Sequence, residues 1–122
     1  MKHYKMMVTV KGSVIYKILL ENDETENDIV KETLKRVVDE YNYSGSLIDW
    51  DTTPDIVKGE HDDEYYVFEN VHFACEIYVS IGENDDLYVK TIEKFREEVP
   101  GIHNIKEMKV EILELLNFTM SF

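Results

Sequence analysis

The feature that most constrains the fold is a run of alternating residues in the second half of the chain. Between Val71 and Ile81 every second residue is apolar, and most of the residues between them are polar. A period of two is typical of a β-strand that buries one face. Cys75, the single cysteine, belongs to the apolar series. We therefore predict that it is buried, chemically inert and dispensable for function.

Alternation also occurs at the N-terminus, where it predicts a β-hairpin. Two apolar series flank the tripeptide Lys11-Gly12-Ser13, which is a suitable turn. With a three-residue loop, Val10 pairs with Val14 and all eight apolar residues share one face. These residues are Tyr4, Met6, Val8, Val10, Val14, Tyr16, Ile18 and Leu20.

Shorter strands are predicted elsewhere. Ser46–Trp50 is predicted to be a short strand, and Thr53-Pro54-Asp55 favours a turn or the start of a short helix. Tyr65–Phe68 predicts a strand, with Glu69-Asn70 as its turn. Lys106–Leu113 alternates as a strand does. Helical spacing is also present in that last region, at Ile105, Met108, Ile112 and Leu115.

Two segments show helical periodicity. The first begins at Thr25, whose hydroxyl and the carboxylate of Asp28 three residues later form a capping-box pattern, although Asp23 could cap the helix instead. It should end near Asn42. Its predicted apolar stripe is Val30, Leu34, Val37, Val38 and Tyr41. The second follows the turn Gly82–Asp86 and ends at Pro100-Gly101. Its predicted apolar face is Tyr88, Ile92, Phe95 and Val99.

These elements predict a single α+β domain over residues 1–122, with a mainly antiparallel sheet of five to six strands and two helices on one face. Merging strands gives a β-α-β-β-α-β order, which allows a ferredoxin-like arrangement. The C-terminal apolar residues should complete the sheet or form a homodimer contact, because contiguous apolar patches mark packing or an interface. They are Leu116, Phe118, Met120 and Phe122.

The composition of the chain indicates the kind of domain and the cellular compartment to expect. The 122 residues are 43% hydrophobic, which suits one globular domain without metals or disulfides. The lone cysteine fits a reducing cytosol, and no run of about 18 apolar residues would span a membrane. We expect a soluble, cytoplasmic protein.

Motifs for catalysis or metal binding are missing from the sequence. It has no nucleophile elbow, phosphate-binding loop, zinc-ligand spacing or calcium-loop pattern. We therefore expect no enzymatic activity, no cofactor and no metal.

The net charge of −13 is the most unusual property of the chain. Residues 37–89 hold fourteen acids against the single base Lys58. A field of this sign repels nucleic acids and membranes and attracts basic partners. The expected partner-binding residues are the acids of two runs with adjacent aromatic anchors. They are Asp49, Trp50, Asp51, Asp55, Glu60, Asp62, Asp63, Glu64, Tyr65, Glu83, Asp85 and Asp86.

In size, charge and the runs Glu60-His61-Asp62-Asp63-Glu64 and Glu83-Asn84-Asp85-Asp86, the chain resembles small acidic inhibitors encoded by phages and mobile elements, anti-CRISPR proteins among them. The resemblance implies a nucleic-acid-handling partner such as an RNA-guided nuclease, whose DNA groove or PAM-reading surface the acids would occupy. The chain itself would not bind nucleic acid. The alternative is a plain protein interaction module, such as an immunity or assembly protein.

Overall fold

The computed structural model describes residues 1–116, and these form an α+β fold with two helices and five strands, as predicted. The elements are β1 (Lys2–Leu19), α1 (Glu26–Ser44), β2 (Ser46–Trp50), β3 (Asp55–Lys58), β4 (Glu64–Ile81), α2 (Leu87–Glu98) and β5 (Ile102–Leu116).

The five strands form one antiparallel sheet in the order β2-β4-β1-β5, and β3 also pairs with β4. β2 pairs with residues 71–74 of β4, and β3 pairs with residues 65–68 along the same edge. The ferredoxin-like arrangement stays a prediction, because β3 is a further strand on the same edge as β2.

The predicted N-terminal hairpin is wrong, because β1 is one strand of 18 residues. Seven of the eight apolar residues occupy even-numbered positions of β1 and share one face, whereas Leu20 follows the last residue of the strand. Gly12 is needed for close approach and not for a turn. A Cβ atom at Gly12 would lie 2.7 Å from Ile102 Cγ2 and 2.9 Å from the carbonyl oxygen of His103. The β1–β5 register shifts at this point, where Asn104 has a positive φ of 48°.

The predicted turn at Glu69-Asn70 is also wrong, because both residues lie inside the uninterrupted strand β4. β4 pairs with β1 along its whole length, from Glu64 opposite Leu19 to Ile81 opposite Lys2. The odd-numbered residues of β4 face the core, which places Glu69 among apolar residues.

The core forms where the even-numbered residues of β1 and the odd-numbered residues of β4 meet the helices. The main cluster includes Val37 and Tyr41 of α1 and Phe95 of α2. The rings of Tyr41 and Phe73 meet edge to face, with centroids 5.4 Å apart. Cys75 is buried in this cluster as predicted, and burial raises the pKa of its thiol to about 11.

A second, smaller cluster joins Ile18, Ile29 and Val67 near the other end of β4. The placement of both helices on one face of the sheet stays a prediction, although residues of both contribute to the main cluster.

The helices begin as predicted but α1 is rotated relative to the predicted stripe. The capping box of Thr25 and Asp28 is present, and Asp86 caps α2 by accepting hydrogen bonds from the backbone of Tyr88 and Val89. The buried residues of α1 are Ile29, Thr33, Val37 and Tyr41, so Val30, Leu34 and Val38 are only half-buried. Those of α2 are Thr91 and Phe95, and Tyr88 is exposed.

The predictions for the shorter elements have mixed outcomes. β2 spans the predicted residues, whereas the segment after Pro54 is strand β3 and not a helix. The C-terminal segment is a strand, β5, as its alternation predicted, and Leu116 is its last residue. Phe118, Met120 and Phe122 lie outside the described residues.

The close approach at Gly12 gives a first prediction. Gly12→Ala should lower the free energy of unfolding by about 1–3 kcal/mol, since the added methyl group would push β5 away from β1. Urea denaturation measures the change. Gly82→Ala is the matched control, because its Cβ would lie an ordinary 3.5 Å from Asp85 Oδ2. Equal effects of the two substitutions would contradict the explanation given for Gly12.

Candidate functional site

The first acidic run lies along one edge of the sheet. Asp49 of β2 is opposite His72, and Asp55 of β3 is opposite Phe68, so both are placed along the same side of β4. The loop between β3 and β4 extends this row. We call the row the acidic edge, and its exposed carboxylates are Asp49, Asp51, Asp55, Glu60, Asp62 and Asp63.

Local hydrogen bonds hold part of the acidic edge in place. Asp51 Oδ2 accepts a hydrogen bond of 2.8 Å from Asn70 Nδ2, and Asn70 Oδ1 accepts one of 3.0 Å from Ser13 Oγ. The backbone nitrogen of Asp51 also donates to the carbonyl oxygen of Asn70 at 3.2 Å. Asp51 is therefore fixed to the two central strands, whereas the side chain of Asp62 is fully exposed and lies 3.8 Å from Lys58 Nζ.

The second acidic run lies at the opposite end of β4 and performs local structural roles. Gly82 and the acids that follow it come directly after Ile81, the last residue of the strand. Asp85 Oδ2 accepts a hydrogen bond from the backbone of Gly82, and Asp86 caps α2. Along β4, at about 3.3 Å per residue, Ile81 lies roughly 30 Å from His72, which is opposite Asp49, and roughly 55 Å from Glu64. The structure therefore does not bring Glu83, Asp85 and Asp86 together with the acidic edge.

Glu64 does not belong to the exposed acids that the sequence suggested. Its residue surface is only 4% exposed, and its carboxylate lies 3.7 Å from Lys17 Nζ. A hydrogen bond to this carboxylate is the main cause that raises the pKa of Tyr66. Gly59 packs so closely on Glu64 that a Cβ atom there would lie 2.7 Å from its Cγ and Oε1. Glu64 thus anchors the β3–β4 loop.

The aromatic residues predicted as anchors flank the acidic edge. Trp50 and Tyr65 are both half-buried, and Trp50 packs against the main core cluster. Trp50 also lines an open cavity of about 350 Å³ next to Asp51. Lys11 and Lys106 line the same cavity, so this end of the acidic edge is electrostatically mixed.

Glu69 is a site residue that the sequence reasoning missed. Its surface is 0% exposed, and within residues 1–116 neither carboxylate oxygen has a hydrogen-bond partner of good geometry, although the backbone of Asp51 is close enough to lower the pKa of Glu69 in part. Burial, and then the neighbouring carboxylate of Asp51, raise the pKa of Glu69 from 4.5 to about 7. The alternation of the sequence could have identified Glu69 as buried, because it occupies an odd-numbered position in line with the apolar residues of β4. The buried hydroxyl of Thr33 on α1 also lacks a hydrogen-bond partner among the residues that the structure describes.

Three further observations concern metal binding, membrane spans and similarity to known proteins. In residues 1–116, no three histidine, cysteine, aspartate or glutamate side chains stand close enough together to hold a metal ion. None of the described helices is long and apolar enough to cross a membrane. Comparison with protein-family models, curated proteins and solved structures finds no match for this chain.

The burial of Glu69 gives a pH prediction. Its folded-state pKa of about 7 exceeds the ordinary value of 4.5. The folded state therefore holds the proton more tightly, and the stability from the protonated group is fully present below about pH 4.5 and is lost as the pH rises through 7. Glu69→Gln should remove this loss. Relative to the native chain, the variant should be more stable by roughly 2–3 kcal/mol at pH 8 than at pH 5.

Urea denaturation at both pH values measures this difference. Glu76→Gln is the control, because Glu76 lies on the same strand but is exposed, with its carboxylate 3.5 Å from Lys5 Nζ. If Glu69→Gln changes stability equally at pH 5 and pH 8, the buried carboxyl does not titrate in this range.

Proposed function

We propose that this chain is a non-enzymatic inhibitor of the anti-CRISPR type, encoded by a phage or mobile element. In this proposal it acts in the cytoplasm and binds the basic nucleic-acid-binding surface of a partner, such as an RNA-guided nuclease, through the acidic edge. Inhibition follows because the partner cannot hold the chain and nucleic acid on one surface. The chain itself binds no nucleic acid.

The continuity of the acidic edge is the observation that supports this proposal. From His72 to Tyr65, β4 covers about 23 Å at a rise of about 3.3 Å per residue. Three exposed carboxylates, those of Asp49, Asp51 and Asp55, lie beside this stretch, or one per roughly 8 Å. Three more lie in the adjoining loop. A single DNA strand carries one phosphate per about 3.4 Å. Beside β4 the acidic edge is therefore about half as dense in charge as one nucleic-acid strand, and the loop acids add further charge at one end.

Within residues 1–116, β2 and β3 pair only with β4, which supports an accessible acidic edge. We take both helices to cover the core face of the sheet, in a ferredoxin-like arrangement, because Tyr41 and Phe95 belong to one cluster. This places the β2–β3 edge at the side of the molecule. Trp50 and Tyr65 beside the carboxylates supply apolar anchors, and buried aromatic residues dominate the binding energy of many interfaces.

A plain interaction module is the second candidate, and the apolar end of β5 favours it. Ile112, Leu113 and Leu115 are 44–48% exposed among the described residues. An immunity or assembly protein would use such residues to pack against a partner. In that case the acidic edge would serve solubility, and changing its charges would leave partner binding intact.

Charge reversal distinguishes the two functions. Replacing Glu60, Asp62 and Asp63 with lysine should abolish capture of the partner, because it reverses the charge of the acidic edge. The fold should survive, because all three residues are exposed and contribute little to the core. Glu64 must be kept, since it anchors the loop. The matched control reverses Glu93, Glu97 and Glu98, which are exposed on α2 and change the net charge equally.

The measurement is affinity capture of a partner by the native chain and both variants, followed by elution with salt. We expect release as salt rises from 0.1 M to 1 M, where the Debye length falls from about 10 Å to about 3 Å. Duplex DNA should compete with the native chain for the partner. Capture that survives the reversal at the acidic edge, or a partner without a basic nucleic-acid surface, would remove the inhibitor and leave the interaction module.

A further inference from the structure

The outer edge of β5 is a second surface of the sheet and has no role in the proposed function. β5 is the last strand in the order β2-β4-β1-β5, and no strand among residues 1–116 pairs with its outer side. An unpaired edge presents a row of backbone donors and acceptors that another strand can complete. From Glu107 to Ile112 the strand is regular and pairs with β1 without a shift. This stretch is therefore a ready template for one more antiparallel strand.

The side chains of this stretch are incompletely buried. Met108, Val110 and Ile112 are opposite the core residues Val10, Val8 and Met6 of β1. Val10, Val8 and Met6 are at most 1% exposed, whereas Ile112 is 48% exposed and Met108 and Val110 are half-buried. The core side of β5 thus has apolar surface that a neighbouring strand would cover.

We propose that β5 pairs with β5 of a second copy of this chain, antiparallel and with Val110 opposite the partner's Val110. In this register Met108 is opposite the partner's Ile112, and Lys109 is opposite the partner's Glu111. A two-fold axis through Val110 repeats each of these contacts. Directly opposite residues of an antiparallel pair share a face, so apolar residues meet on the core side and opposite charges meet on the other side.

This register is favoured over the adjacent registers of the strand pair, because each of them loses this complementarity. Moving the two-fold axis to Glu111 places Glu111 opposite itself, and moving it to Lys109 places Lys109 opposite itself. Axes that lie between two residues place Lys109 opposite Val110 or Ile112. Like charges placed directly opposite one another destabilise a strand pair. The two charged side chains already share one face, since Lys109 Nζ lies 2.6 Å from Glu111 Oε1.

The charge of the strand permits this contact in a strongly acidic protein. The described part of β5 has two lysines, Lys106 and Lys109, and three glutamates, so its net charge is 2 − 3 = −1. The whole chain has a net charge of −13. Repulsion between two copies comes mostly from regions outside the contact, and it is screened at physiological salt, where the Debye length is about 8 Å.

Charge exchange tests the proposal on the full chain. Sedimentation at physiological salt should show a concentration-dependent dimer of the native chain. Lys109→Glu and Glu111→Lys should each raise the dimer dissociation constant by about tenfold or more, because two favourable pairs become two repulsive ones. A mixture of the two variants should dimerise again, since each lysine of one chain then faces a glutamate of the other.

The mixture separates a contact between chains from one within a chain. Neither variant retains the pair between residues 109 and 111 of its own chain, so recovery in the mixture arises only across the interface. Val110→Cys adds an independent readout, because opposite Cβ atoms lie about 4.5–5.5 Å apart and the two cysteines would form a disulfide on oxidation. Glu111→Cys is the control and should not form one, because it faces Lys109.

Two outcomes would overturn the proposal. One is a native chain that stays monomeric up to about 1 mM. The other is a mixture of the charge variants that dimerises no better than either variant alone. Neither outcome affects the proposed function, which rests on the acidic edge at the other side of the sheet.

Discussion

The pairing of β1 with β4 is the constraint on which the rest of the structure depends. Two strands of 18 residues run antiparallel without a register shift, from Lys2 opposite Ile81 to Leu19 opposite Glu64. A slip of one residue would exchange the buried and exposed faces of the whole ribbon. β5 attaches to β1, β2 and β3 attach to β4, and residues of both helices contribute to the core clusters on the ribbon.

The sequence predicts which face of this ribbon is buried better than it predicts where the strands end. Alternation identifies the apolar series of β1 and β4. Because the apolar residues of each series are an even number of positions apart, they share one face with or without a turn between them. Gly12 and the pair Glu69-Asn70 have the composition of turns, but neither breaks its strand. A glycine that allows close approach of β5 and a buried glutamate inside a strand are both set by tertiary contacts, which a local pattern does not contain.

The buried face of helix α1 was likewise not predictable from the local pattern of its sequence. The most apolar stripe that its sequence offers includes Val30 and Leu34, yet the buried row contains Thr33 and Ile29. Contacts of Tyr41 with Phe73 fix one end of the helix on the sheet, and the row at intervals of four residues follows from that contact. Thr33 and Glu69 are both buried polar residues, and the carboxyl of Glu69 has a pKa of about 7 because burial disfavours its charge. Of the candidate site, the sequence therefore predicted the acids of the edge but not this buried group.

The two edges of the sheet differ in how charge acts on them. The β2–β3 edge concentrates carboxylates, so a basic partner at that edge would be attracted from a distance, and the attraction would weaken with salt. The β5 edge has nearly balanced charges and unpaired backbone groups, so a contact there depends on short-range pairing in one register. In the strand order the ribbon of β1 and β4 lies between the edges, although Lys106 of β5 lines the same cavity as Asp51. A second copy paired with residues 107–112 would contact β5 and not β2 or β3. Such a dimer would present two acidic edges to its partners, and binding both at once would raise the apparent affinity without any new contact.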